Sequence, residues 1–223
     1  MQASFPFLAG FRSSSFNLAG QSLETQQSIT GDDTVIPTLR GKWSAEVRFV
    51  FHGEGQYLQW QAFLAQMGGR LGTTLVPCIS RFRPSDRDGH ELSFSDPARL
   101  AGAQTFEHFG FKNARVTRVS VTSAAALRAS EIGITLHDST GLRPGQFFSI
   151  GERLHRVRSH WVQGSGHRIT FEPPLRAAVA TGAHVEIERP VCKMRMVSET
   201  EGSFGQDYAD VAPNVACNFA EAI

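Results

Sequence analysis

Residues 43–52 read W-S-A-E-V-R-F-V-F-H, and this stretch sets the fold class. Trp43, Ala45, Val47, Phe49 and Phe51 fall on one side of a period-two pattern. Ser44, Glu46, Arg48 and His52 fall on the other, with Val50 alone out of step. Aromatic and β-branched residues alternating with polar ones specify a half-buried strand. A glycine turn at 53–55 follows, and then a helix over 56–67, where Tyr57, Trp60, Leu64 and Met67 recur at helical spacing. Gly68 and Gly69 stop it, because glycine supplies the left-handed cap geometry. A further strand over 73–80 carries Val76 and Cys78. Trp43, Phe49, Phe51, Trp60 and Leu64 are therefore expected to share one core.

Upstream, residues 1–40 are rich in Ser, Gly, Gln and Thr with Phe5, Phe7, Phe11 and Phe16 scattered among them. They read either as irregular strand pairs or as an arm that orders on a partner. Residues 81–110 are polar and turn-rich, a long loop of the kind that is functional or disordered in compact units. From Arg115 the pattern changes to short strands over 116–121, 132–136, 146–150, 153–161, 167–172 and 183–188. Glycine and proline turns separate them, and 175–181 reads as one helical turn. Five or six short strands in about 75 residues point to a small closed or partly closed barrel of SH3-like or OB-like kind. Beyond Pro190, Cys192, Met194 and Met196 alternate with Lys193 and Arg195, which gives another half-buried strand. Residues 199–213 are acidic, and 214–223 read as a closing strand.

The chain has 223 residues, 41% of them hydrophobic, which is ordinary globular composition. No uncharged apolar run approaches the roughly 18 residues of a membrane span. Residues 1–20 lack a basic stretch followed by an apolar one, so no secretory leader is expected. Cys78, Cys192 and Cys217 are odd in number and widely spaced, and read as reduced core residues. A net charge of +1 gives no global attraction to nucleic acid or acidic lipid. Between 115 and 195, however, 12 basic residues face 6 acidic ones, while the rest of the chain holds 10 and 15. Nineteen of the 22 basic residues are Arg, the cation favoured at interfaces, although a GC-rich genome is the plainer source.

A search for chemistry finds no G-x-S-x-G elbow, phosphate-binding loop, H-E-x-x-H or G-x-G-x-x-G. No two of the eight histidines lie three or four apart, and His155 and His160, five apart, fall on opposite faces of a regular strand. Catalytic, cofactor and metal residues are therefore all expected to be none. Asp86, Asp88 and Glu91 cluster in the polar loop without the spacing of a calcium loop, and read as solvated. The hairpin 158–168 is richer: Arg158, His160, Trp161, His167 and Arg168 surround a Gly-Ser-Gly turn. Basic and aromatic groups on a barrel loop stack on sugars or bases. The plainer reading is that Trp161 caps the barrel end while arginine stems cover apolar surface. Arg158, His160, Trp161 and His167 are the candidate ligand contacts, and a carbohydrate- or oligonucleotide-binding barrel is the alternative function. A hydrolase built on residues 86–91 ranks far below.

The run G-Q-F-F-S-I-G-E-R-L-H-R-V at 145–157, then R-I-T-F-E-P-P-L-R at 168–176, then Gly182, Val185 and Pro190, resembles a barrel module found in tail-tip proteins of long-tailed phages. The flanks are similar to the N-terminal sandwich of distal tail proteins: a strand, a helix containing A-F-L-A at 62–65, a glycine stop and Val76-Pro77. The ending N-F-A-E-A at 218–222 also resembles them. The likeness covers about 150 residues. It implies a mainly β chain: a β-sandwich with one helix (1–113 with 191–223) carrying an OB-like barrel insertion (114–190). It further implies a virion structural protein at the tail tip, made in the host cytoplasm. Copies would form a ring, usually a hexamer, joining the tail tube protein to the tip hub protein. The barrel would face outward and serve attachment, to host-surface carbohydrate for instance. No cofactor, nucleic-acid readout or membrane span is implied.

Overall fold

The computed structural model describes residues 2–7, 9–23, 26–27, 33–36, 38, 40–80, 82, 84, 119–137, 139–164, 166–203 and 214–223. The described chain is mainly β. Its first part holds β1 (Gln2–Ala3), β2 (Phe11–Ala19), β3 (Gln26–Gln27), β4 (Asp33–Thr34), β5 (Lys42–Val50), α1 (Glu54–Met67) and β6 (Thr73–Pro77). Then come β7 (Val119–Val121), β8 (Glu131–Leu136), β9 (Phe147–Ile150), β10 (Arg153–Gln163), β11 (Gly166–Glu172) and β12 (His184–Glu186). Last are β13 (Val191–Met196) and β14 (Asn214–Glu221). No described helix is long and apolar enough to cross a membrane.

Six strands form one sheet in the order β1-β6-β13-β14-β5-β2. The alternation of β5 has the expected consequence: Trp43, Ala45, Val47 and Phe49 are buried while Arg48 is exposed, and Phe51 continues the buried row past the strand end. Helix α1 covers this row with Trp60, Phe63 and Met67. The Trp60 ring lies 4.4 Å from that of Phe49 and 5.4 Å from that of Phe63. Its Nε1–H donates to the Gly202 carbonyl at 2.9 Å, so the polar end of a fully buried Trp is satisfied. Gly68 ends the helix at φ 53°, with its N–H on the Leu64 carbonyl. The expected shared core is present, with Leu64 packed at its margin.

The N-terminal stretch takes the first of its two readings. β2 pairs along its length with β5, as the last strand of the sheet. Three serines and an asparagine hide it in the sequence, yet Phe11, Phe16 and Leu18 still pack on the core. The sheet curls strongly. Ser14 Oγ on β2 donates to the Pro77 carbonyl at 3.1 Å and accepts from the Ile79 N–H, although three strands separate β2 from β6 in the strand order.

The second set of strands closes into a barrel in the order β10-β11-β8-β7-β12-β9. Its interior holds Val119, Val121, Ile132, Ile134, Phe148, Val157, Ile169, Phe171 and Val185, with Leu142, Leu175 and Ile187 from the connections. Residues 175–181 are not helical. Val179 bridges Ala125, each N–H donating to the other carbonyl at 2.9 Å. An alanine-rich segment with good helix propensity is here held extended by a single bridge to Ala125, as tertiary context overrides propensity.

β6 and β13, which flank the barrel in sequence, are neighbours in the sheet. The Cys78 N–H donates to the Pro190 carbonyl at 2.8 Å, so the chain rejoins the sheet at once after Pro190. The boundary expected at 113/114 and the loop over 81–110 lie outside the described residues, apart from Phe82 and Pro84.

A largely buried seam joins barrel to sheet. Leu154 is on β10 but belongs to the core of the sheet, and its carbonyl accepts Trp43 Nε1–H at 2.8 Å. Phe147 stands 5.7 Å from the Trp43 ring. Glu221, only 4% exposed, accepts the Trp43 N–H at 3.1 Å. It also pairs with Arg153 at 3.6 Å and Arg176 at 3.4 Å, both from the barrel. At the rim, Lys193 Nζ meets Glu152 at 2.6 Å and holds that carboxyl below its usual range.

Candidate functional site

The hairpin β10–β11 carries every candidate contact residue, and one irregularity decides where each points. Pairing runs Val157↔Phe171, then Ser159↔Thr170, so Arg158 is an extra residue on β10. Such a bulge shifts the strand by one position and reverses the facing of everything beyond it. His160 now stands opposite the buried Ile169, and Val162 opposite His167. His155 and His160 thus share a face of β10, contrary to what regular alternation predicts.

The consequence is a histidine pair. His160 Nε2 lies 3.0 Å from His167 Nδ1, and the rings stack at 27° with centroids 5.2 Å apart. Both residues are half-buried. Burial, and secondarily His167, lowers the His160 pKa. Gly141 abuts the pair, since a Cβ on it would stand 3.7 Å from His160 Cε1.

Trp161 goes the other way. It is 37% exposed and opposite Arg168, whose guanidinium pairs with Glu131. It does not cap the barrel. The structure therefore brings His160 and His167 together and sets Trp161 beside Arg168 on the reverse face, while Arg158 is exposed at the bulge itself. No single platform combines all four candidates.

Deeper in β10, His155 is a core residue, 1% exposed, against Phe148 at 5.3 Å and Phe171 at 4.9 Å. Its Nδ1 faces the Pro173 carbonyl at 2.8 Å, which can only accept, so Nδ1 carries the proton. Burial pushes its pKa down to about 4, leaving the ring neutral at pH 7. The three cysteines are buried free thiols, and burial raises the pKa of Cys78 to about 12. The Asp86, Asp88 and Glu91 cluster lies outside the described residues. Among the described residues, no group of three or more His, Cys, Asp or Glu side chains is placed to hold a metal ion.

Sequence reading missed one cavity. About 490 Å³ opens where β1, β6 and the start of β13 meet, lined by Phe5, Phe7, Leu75, Ile79, Arg189 and Val191 among others. Its walls come from three segments far apart in the chain, so no local pattern announces it.

No protein-family model matches the chain, and no curated protein matches it in sequence.

Proposed function

We propose that the protein is a structural virion component, a distal tail protein whose copies form a ring, most simply a hexamer, between tail tube and tip hub. In this reading the curled sheet with α1 is a β-sandwich that builds the ring. The closed barrel is an OB-like insertion facing outward for attachment, and the protein performs no catalysis. One observation carries most weight: β6 and β13 pair directly although the whole barrel lies between them in sequence. That is the architecture of a module inserted between neighbouring strands, as the resemblance requires. The residues that carry the resemblance support the same reading. Gly145 and Gly151 turn at positive φ, and Phe148, Val157, Ile169 and Phe171 fill the barrel.

Negative-stain images of the purified full-length protein, with light scattering, test this. Closed rings of one size are the expected result. A monodisperse monomer at tens of micromolar would overturn the ring, and with it the role at a tail tip.

A further inference from the structure

We infer that His160 and His167 form a two-imidazole chelating site for one divalent transition-metal cation of the copper, nickel and zinc class. The argument begins with the backbone. The bulge at Arg158 turns His160 to the face of Ile169, and the β10–β11 register then places His167 diagonally beside it. Both positions are set by paired strands, so the spacing does not depend on a loop.

The separation suits an ion. Imidazole nitrogens lie about 2.0–2.1 Å from such a metal, so two of them on one ion stand about 2.9–3.4 Å apart between right-angled and tetrahedral geometry. His160 Nε2 and His167 Nδ1 stand 3.0 Å apart. Without an ion, the same distance is a hydrogen bond between the two ring nitrogens. That bond holds the two nitrogens at chelating distance in advance. Binding moves the shared proton to the far nitrogen of its ring, and each ring turns about its side-chain bonds until both lone pairs point at the ion rather than at each other.

Ligand type selects the metal. Neutral imidazole suits copper, nickel and zinc, with copper highest in the affinity order, whereas magnesium and calcium require oxygen. Two protein ligands leave the other positions to water, so the ion exchanges freely. Both rings are half-buried, so solvent reaches the site. A bound ion would tie β10 to β11 just below the hairpin end, where Trp161 and Val162 are exposed.

The test uses the untagged full-length chain and Cu(II) as probe. Calorimetric titration should show one equivalent per chain bound at micromolar affinity. The electron paramagnetic resonance spectrum should carry the splitting of two equatorial nitrogens. His160→Ala and His167→Ala should each weaken binding about tenfold or more, as loss of a ligand-shell contact does. His184→Ala, on β12, which pairs with neither β10 nor β11, should leave it unchanged. Binding unaltered by either single variant, or loss on His184→Ala as large as on His160→Ala, would overturn the site. If a variant fails to fold by circular dichroism, the wild-type spectrum decides: coupling to fewer than two nitrogens rules the chelate out.

Discussion

Leu154→Ala tests whether sheet and barrel are one mechanical unit. Leu154 is fully buried and lies on a barrel strand, yet its side chain belongs to the sheet core. Truncation removes three carbons, about 2.4 kcal/mol of transfer free energy at about 0.8 per carbon. The space left in the sheet core cannot collapse freely, because Trp43 stays anchored to the Leu154 backbone carbonyl, which alanine retains. A cavity contribution raises the total to about 3–4 kcal/mol. The distribution of that loss is the informative part. Urea unfolding should be followed by amide exchange on β5, in the sheet, and on β8, in the barrel. If the seam couples the units, both strands lose protection together by the full amount. Loss confined to β8, or a total below about 1 kcal/mol, would mean the barrel is a tethered appendage and the seam argument fails. Excising the barrel from Val119 to Pro190 is costly for the same reason: Glu221 would be left without its barrel arginines.

Two further outcomes follow from single residues. Gly202→Ala should destabilise by about 2–4 kcal/mol in urea melts, because φ is +71° and the new Cβ would meet Trp60 Cζ2 at 2.5 Å; a change under about 0.5 kcal/mol would place the 200–203 turn elsewhere. His155 has a folded pKa near 4 against 6.5 when free. The unfolded chain therefore takes up the proton first, and stability present above pH 6.5 is lost as pH falls towards 4. The loss is about 3 kcal/mol. His155→Leu should flatten that part of the stability–pH curve, and an unchanged slope would show that His155 is not neutral in the core.

The core of the sheet was legible because its residues advertise themselves locally. Period two in β5 and the Trp60–Met67 spacing in α1 each require burial on one face, and both faces met. β2 was harder to read. An edge strand buries less, so selection for apolar residues is weak, and Ser13, Ser14 and Ser15 look like a turn until β5 supplies the partner. Leu154 was unreadable in another way. Its alternation with neighbours places it in the barrel wall, and only the approach of a second unit turns that wall into shared core.

The histidine pair shows the sharpest limit. Alternation assigns faces by counting, and counting is correct only while every residue occupies one rung. Arg158 occupies none of its own, and no composition rule marks it, for the bulge lies within an unbroken run of strand-forming residues. A single inserted position converts His155 and His160 from opposite faces to the same one, and it sets Trp161 opposite Arg168 rather than His167. The sequence cluster was real as a neighbourhood on the hairpin, but its chemistry depended on one unit of register. The bulge therefore offers its own check. Deleting Arg158 would restore regular pairing, with Ser159 still opposite Thr170 directly after Val157 opposite Phe171, and so would leave His160 opposite Ile169 and diagonal to His167. If copper binding were lost on that deletion while the barrel stayed folded, the register argument would be wrong.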